Sequence, residues 1–226
     1  MNRKAMKKIT VGLICAAGIS AAAPAAVNAM DWGGVVGTVL GGAIAYKEVD
    51  AYVHYVNDTE EGRQAYYQEM KDSMGVNYDE YHNTMLDTLM NNLTEGVTAH
   101  DATIQDKPFL YFLNNDKSFN ASCGLGHVMT VNTGLFRISD NIDEVAFVIG
   151  HEMGHGMKNH SLKGTQKKMR TIIGASIAAE AMGGGATANI AMSALVGQIN
   201  NIQITKKQEW EADNLAFDYA YNAGYN

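Results

Sequence analysis

Residues 145–160, VAFVIGHEMGHGMKNH, decide how this chain is to be read. They contain His151-Glu152-Met153-Gly154-His155, an HExxH pattern. On an α-helix, positions 151 and 155 lie one turn apart on one face, so both imidazoles can reach a single metal ion. Glu152 is turned only about 100° from His151 along the helix. Its carboxylate then sits beside the ion rather than on it, where it can take a proton from a water held there. The flanks predict a helix buried inside a domain. Asn141-Ile142-Asp143-Glu144 reads as an N-cap with two acids in the first turn and a glutamate at the capping-box position. Ile142, Val145, Ile149 and Met153 share one face, while Phe147 and Val148 carry apolar surface around the other side. Two histidines and a glutamate are costly to bury in such a helix unless a metal or hydrogen bonds satisfy them.

Zinc on an HExxH helix needs one more protein ligand and an open position. Three sources can be tested against the sequence. The metzincin spacing requires a glycine at position 158 and a histidine at 161, but the chain has Lys158 and Ser161, and His160 falls one place short. Cys123 would complete a deformylase-like Cys-His-His site, yet the glycine-rich and cysteine motifs of deformylases are missing. A glutamate on a later helix is the third route, with Glu180, Glu209 and Glu211 as candidates. The stretch 206–213, KKQEWEAD, separates them. Glu209 and Asp213 are four apart on one helical face, so the first can bind the metal while the second accepts the spare N–H of a ligating histidine. At the same offset Glu180 has Gly184 and Glu211 has Leu215. Glu209 is therefore the expected third ligand, and one Zn2+ per chain the expected cofactor.

Working outward, residues 1–29 have the build of a signal peptide. Arg3, Lys4, Lys7 and Lys8 form a basic start, 9–23 an apolar stretch, and Val27-Asn28-Ala29 a cleavage-type end. Cys15 follows Ile14 rather than a small residue, which argues against a lipoprotein signal. Export to the periplasm, or secretion, is expected. Loss of the four basic residues takes the net charge from −7 to −11, so a nucleic-acid partner is not expected. Lys163, Lys167, Lys168 and Arg170 read as a solvated helix end. Cys123 is the one cysteine beyond the leader, so no internal disulfide can form.

Residues 30–106 are expected to form an N-terminal helical region. Gly33, Gly37 and Gly41 suit close helix packing better than contact with a membrane or partner, though peripheral membrane contact stays open. From Glu48 to about His100 the chain reads as helix, with Leu86, Leu89, Met90 and Leu93 as a core stripe. His54, His82 and His100 have no companion at ligand spacing. In the core, 107–226, Pro108–Leu113 and His127–Val131 read as strands, with a helix starting near Gly134. The second strand is expected to hold an extended substrate along its edge. Cys123 and His127 stand four apart, but a small buried cysteine beside a strand is commoner than a ligand. Residues 171–195 suggest two loosely packed helices around Gly183-Gly184-Gly185.

VIGHEMGH together with Glu209-Trp210-Glu211-Ala212-Asp213 resembles the gluzincin metallopeptidases of the HtpX and CAAX-prenyl-protease type. The exported layout is similar to that group's periplasmic LoiP- and BepA-like branch. Asn120-Ala121 and Thr133-Gly134-Leu135 match the segment that precedes the active helix in that family. The resemblance covers about 107–226. It implies zinc on His151, His155 and Glu209, Glu152 as the base, and Asp213 supporting a histidine ligand. It also implies a zincin-like, mostly helical α+β fold and an endopeptidase acting on unfolded or flexible envelope proteins in quality control. Family members continue past the point where this sequence stops, so either a C-terminal part of the core lies beyond Asn226 or the enzyme lacks that part. The rival reading is a non-catalytic, zinc-stabilised, chaperone-like binding module, which would keep the ligands but not depend on Glu152. Oligomeric state and cleavage specificity have no signature here.

Overall fold

A computed structural model describes residues 43–181 and 204–226. The signal-type segment 1–29, most of the glycine-spaced segment 33–46, and residues 182–195 lie outside the described residues. Between Glu48 and His100 the expected helix is three helices: α1 (Ala43–Asp58), α2 (Glu60–Met74) and α3 (Glu80–His100). Local capping makes the breaks. Thr59 accepts the Gly62 N–H at 3.0 Å and so starts α2. Gly75, at φ 74°, ends α2 in a conformation that costs glycine little, and its N–H returns to the Lys71 carbonyl. Asp79 then caps α3 by accepting the His82 N–H at 2.9 Å.

Among the described residues the sheet has three strands in the order β1-β3-β2: β1 (Leu110–Asn114), β2 (Ala121–Cys123) and β3 (Val128–Asn132). β1 runs parallel to β3, with Leu110 opposite Val128, and β2 runs antiparallel to it, with Ala121 opposite Val131. The two strands read from the sequence are present, two residues and one residue later than expected. β3 is central and buried throughout. Both its edges are already paired, so it cannot receive an added strand, and the expectation that 127–131 holds substrate is corrected. The free edge on that side belongs to β2, a strand too short to show any periodicity.

The described helices beyond the sheet are α4 (Thr133–Ile138), α5 (Ile142–Met157), α6 (His160–Ala181) and α7 (Lys206–Asn222). Asn141 caps α5 by accepting the Asp143 N–H at 2.9 Å. Glu144 takes its hydrogen bond from the Ser139 hydroxyl, 2.7 Å away, instead of closing a capping box. α7 does carry a complete box, between Thr205 and Gln208. Val145, Ala146, Ile149 and Met153 are fully buried, whereas Ile142 and Phe147 are 40% and 37% exposed. α5 is therefore buried along one side, not all round as its composition suggested. Its exposed positions lie in the first half of the helix, while at the level of the histidines His151 is half-buried and His155 is buried.

The main core joins Leu86, Leu89, Met90 and Leu93 of α3 to Leu113, Met129, Val131, Ile149, Met153 and Tyr219. A second cluster joins Val53, Val56 and Met70 to Phe112, Leu125 and Val128. Both draw on residues from either side of position 107, so the N-terminal helices and the strand-bearing part share their apolar interior. The architecture is α+β and mostly helical. α5 crosses α7 through small residues, so that a Cβ added to Gly154 would lie 3.3 Å from the Ala212 Cα, and one added to Gly150 would lie 3.5 Å from the Ala216 Cα. That close approach sets the polar turn of α7 against the histidines of α5.

Candidate metal centre

His151, His155 and Glu209 meet at one point. Their nearest ligand atoms all lie within 4.8 Å of one another. The Nε2 atoms of His151 and His155 are 2.9 Å apart. The Glu209 Oε2 is 3.4 Å from the first and 3.8 Å from the second. The helical offset of four makes the histidines neighbours, and the Gly154–Ala212 crossing brings Glu209 to them.

The far sides of the rings explain why the Nε2 atoms point inward. His151 Nδ1 is 2.8 Å from Asp213 Oδ1. A carboxylate can only accept, so Nδ1 of a neutral His151 carries the proton and Nε2 presents its lone pair. Asp213 thus lies against the Nδ1 side of His151, and is not one of the three converging groups. His155 Nδ1 is 2.9 Å from His160 Nδ1, and His160 Nε2 is 3.3 Å from Glu211 Oε2. Two imidazole nitrogens and a carboxylate oxygen, all lone-pair donors, are the donor set that zinc favours. The residues fit such an ion. Burial, with the neighbouring His151 and His160, pushes His155 down to about 3 and keeps it in the neutral form a metal requires.

Glu152 sits just outside this cluster. Its Oε2 accepts the Cys123 N–H at 2.9 Å, which ties the carboxylate to the free edge of β2. Burial pushes Glu152 up to about 8, the Cys123 hydrogen bond works against this, and the Glu209 charge adds to it. A cation at the cluster would draw it back down.

The other candidates lie elsewhere. Cys123 is buried, and its thiol is raised far above its usual range by burial. It packs against Gly156, where an added Cβ would sit 2.9 Å from the sulfur. His127 bonds the Lys107 carbonyl at 2.8 Å and stacks on Phe109, with ring centres 4.6 Å apart. Neither belongs to the cluster. His54 and His82 pair with Asp58 and Asp79, His54 on its own helix and His82 with the residue that caps its helix. The Glu180 side chain lies outside what is described.

The sequence reading missed the role of His160. It is five residues after His155, which on a continuous helix would turn it about 140° away. The helix does not continue. Asn159 adopts φ 52°, a left-handed conformation that asparagine tolerates, and α6 starts afresh with His160 aimed back at His155. The only sequence signal was the asparagine itself.

Residues 82–226 match the model of Peptidase family M48. Over 236 aligned residues the chain is 25% identical to the beta-barrel assembly-enhancing protease of Escherichia coli (strain K12), covering all of this chain and 45% of that protein. It is 34% identical to Metalloprotease LoiP of the same organism over 136 residues, 58% of this chain and 52% of the other. A putative beta-barrel assembly-enhancing protease of Vibrio cholerae is 27% identical over 174 residues, 72% of this chain and 34% of the relative. The chain thus spans about half, or less, of the length of these relatives.

Proposed function

Because the chain belongs to peptidase family M48, as that match over most of its length shows, we propose that it is a zinc-dependent endopeptidase. One observation carries the reading: two histidine Nε2 atoms and the Glu209 carboxylate converge within 4.8 Å, with Glu152 held beside them on a strand edge. His151, His155 and Glu209 hold the zinc. When bound, zinc supplies a Lewis acid that polarises a carbonyl and lowers the pKa of a water to about 7.

The remaining steps belong to the protein. Glu152 takes the water proton on the carboxylate oxygen that Cys123 leaves free, and returns it to the departing amine. Asp213 fixes the tautomer and orientation of His151. The substrate lies along β2. The Gly124 N–H and the Asn120 carbonyl point to β3, so by the antiparallel alternation the Ala121 and Cys123 backbone groups point outward. Cys123 is engaged by Glu152 and by the Ser161 hydroxyl, so the outward groups of Ala121, itself 3% exposed, are the ones an extended chain would have to uncover in order to pair along this edge. Such pairing selects unfolded or flexible segments over folded ones. Quality control of envelope proteins after export fits this substrate class, the signal-type leader, and relatives named for β-barrel assembly. Among the described residues no helix is long and apolar enough to cross a membrane.

The decisive test is Glu152→Gln in the full-length protein. It keeps size and shape and touches no ligand, so zinc content and casein binding should match wild type. Casein cleavage should fall at least about 100-fold. A wild type that holds zinc yet cuts nothing, or a Gln variant that cuts equally well, would replace the protease with the binding module.

A further inference from the structure

His155 and His151 are both placed to ligate through Nε2, but their other nitrogens are held differently. His151 has a carboxylate, Asp213, at 2.8 Å. His155 has a histidine, His160, at 2.9 Å, and only beyond it a carboxylate, Glu211. His160 is 1% exposed, as fully covered as His155. Glu211 is half-buried on the same helix as Glu209 and Asp213.

The proton positions follow from this geometry. The contact between His155 and His160 is Nδ1 to Nδ1, so one nitrogen must donate and the other accept. If His160 donated, His155 would carry its own proton on Nε2, where the zinc must sit. If His155 donates, its Nε2 is free, His160 accepts on Nδ1, and His160 keeps its proton on Nε2. That proton then points at Glu211 Oε2, 3.3 Å away. Only the second arrangement leaves every group satisfied.

We propose that His160 and Glu211 are positioning residues for the zinc site: Glu211 fixes the tautomer of His160, and His160 fixes the tautomer and ring orientation of His155. This rests on zinc being held by His151, His155 and Glu209. It gives the site two unequal supports, one direct through Asp213 and one relayed through His160. The relay is built into the backbone by the left-handed Asn159, which turns His160 back onto His155. It also gives Glu211, two residues from the third ligand, a task of its own.

Substitution can separate the hydrogen bond from packing. An asparagine at 160 places its Oδ1 where the histidine Nδ1 stands and accepts the same proton. Leucine fills the space and accepts nothing. Zinc affinity is measured on the full chain by competition with a chromophoric chelator, and folding of each zinc-free variant is checked by thermal unfolding. His160→Leu should weaken zinc binding roughly ten- to hundredfold, the usual cost of losing a partner that orients a ligand. His160→Asn should stay within about threefold of wild type, and Glu211→Gln should weaken binding by less than His160→Leu. If the leucine variant does not fold, His160→Gln replaces it, since its carbonyl lies one atom too far along, and it should show the leucine result. Wild-type affinity in His160→Leu, or equal weakness in His160→Leu and His160→Asn, overturns the relay. Glu209→Ala is the separate control: unchanged zinc affinity there would sink the metal site itself, whatever the His160 variants do.

Discussion

Among the described residues, two of the regions that bury polar side chains do so in opposite ways. Under the loop joining β2 to β3, Arg63 is 4% exposed. Its Nε donates to the Gly126 carbonyl at 2.6 Å, one terminal nitrogen to Glu60 at 2.7 Å, and the other to the Pro108 carbonyl. Donors there meet acceptors, so the charge is answered from within the chain. Between α5 and α7 the outer nitrogens of His151 and His155 are answered too, by Asp213 and His160, but the inner ones face each other and Glu209. Acceptors there meet acceptors. Burial of a charged or titratable group therefore does not itself mark a functional site. The mark is a set of lone pairs turned toward one point by partners that hold their other side.

The largest expected effect tests whether the two regions are energetically separate. Arg63→Ala strands the Gly126 and Pro108 carbonyls under the loop, which should cost about 3 kcal/mol in urea unfolding. Zinc affinity of the folded variant should be unchanged, because Arg63 touches none of the converging residues. A parallel loss of zinc affinity would show that the Arg63 loop and the metal centre are one unit, and the contrast would collapse.

How far the sequence reveals each region depends on the same contrast. The helical repeat converts spacing into geometry, so His151 could be placed beside His155, and Glu209 beside Asp213, from offsets of four; that the two pairs meet came from the third ligand a metal requires, not from spacing. Asn159 interrupts that repeat, and with it goes any way of reading His160 from its spacing. Arg63 gave little signal: Glu60 stands three residues before it, an ordinary helical pair, and its other partners are the carbonyls of Gly126 and Pro108, which any residue would supply. Strand order was equally hidden. Nothing in Val128–Asn132 says whether one or two neighbours pair with it, and β2 is three residues long, so the free edge fell to a strand that the pattern could not show. The breaks in the 48–100 helix were nearer to legible, since Thr59, Gly75 and Asp79 are all residues that cap or end helices.

The second prediction concerns acid and the internally satisfied side. Burial, aided by the nearby charges of Lys107 and Arg63, pushes His127 down to about 4, although its bonds to the Lys107 and Gly156 backbone act the other way. Its folded pKa lies below the unfolded value of about 6.5, so the unfolded chain binds the extra proton first. The stability it contributes is full above pH 6.5 and is lost as pH falls toward 4. Between pH 7 and pH 5 the loss should be about 2 kcal/mol. His127→Asn suits the φ of 57° at this position and does not titrate, so its unfolding midpoint should fall less over that interval than wild type does. An equal pH dependence in the two proteins would show that His127 is not the group protonated on unfolding.

The smallest effect sharpens the boundary between the regions at Cys123. Its backbone serves the site, through the N–H on Glu152 and the carbonyl that accepts from Ser161. Its side chain faces the other way, into the main core against Gly156 and Phe109. Cys123→Ser changes only the side chain, so the strand edge and the hold on Glu152 should survive. A buried hydroxyl with only the distant Gly124 carbonyl to meet should cost about 1 kcal/mol of stability. Zinc content and casein cleavage should stay at wild-type levels. Loss of zinc in this variant would make the thiol a ligand and would move the metal centre toward β2. Loss of cleavage with zinc retained would mean that the sulfur, and not the backbone beside it, sets the position of Glu152. The thiol in the native protein should also resist alkylation until it unfolds, because burial and the Glu152 charge both oppose the thiolate. Rapid labelling of the folded protein would put Cys123 on the open side of β2, where the substrate has been placed, and the division between the two faces of that strand would have to be redrawn.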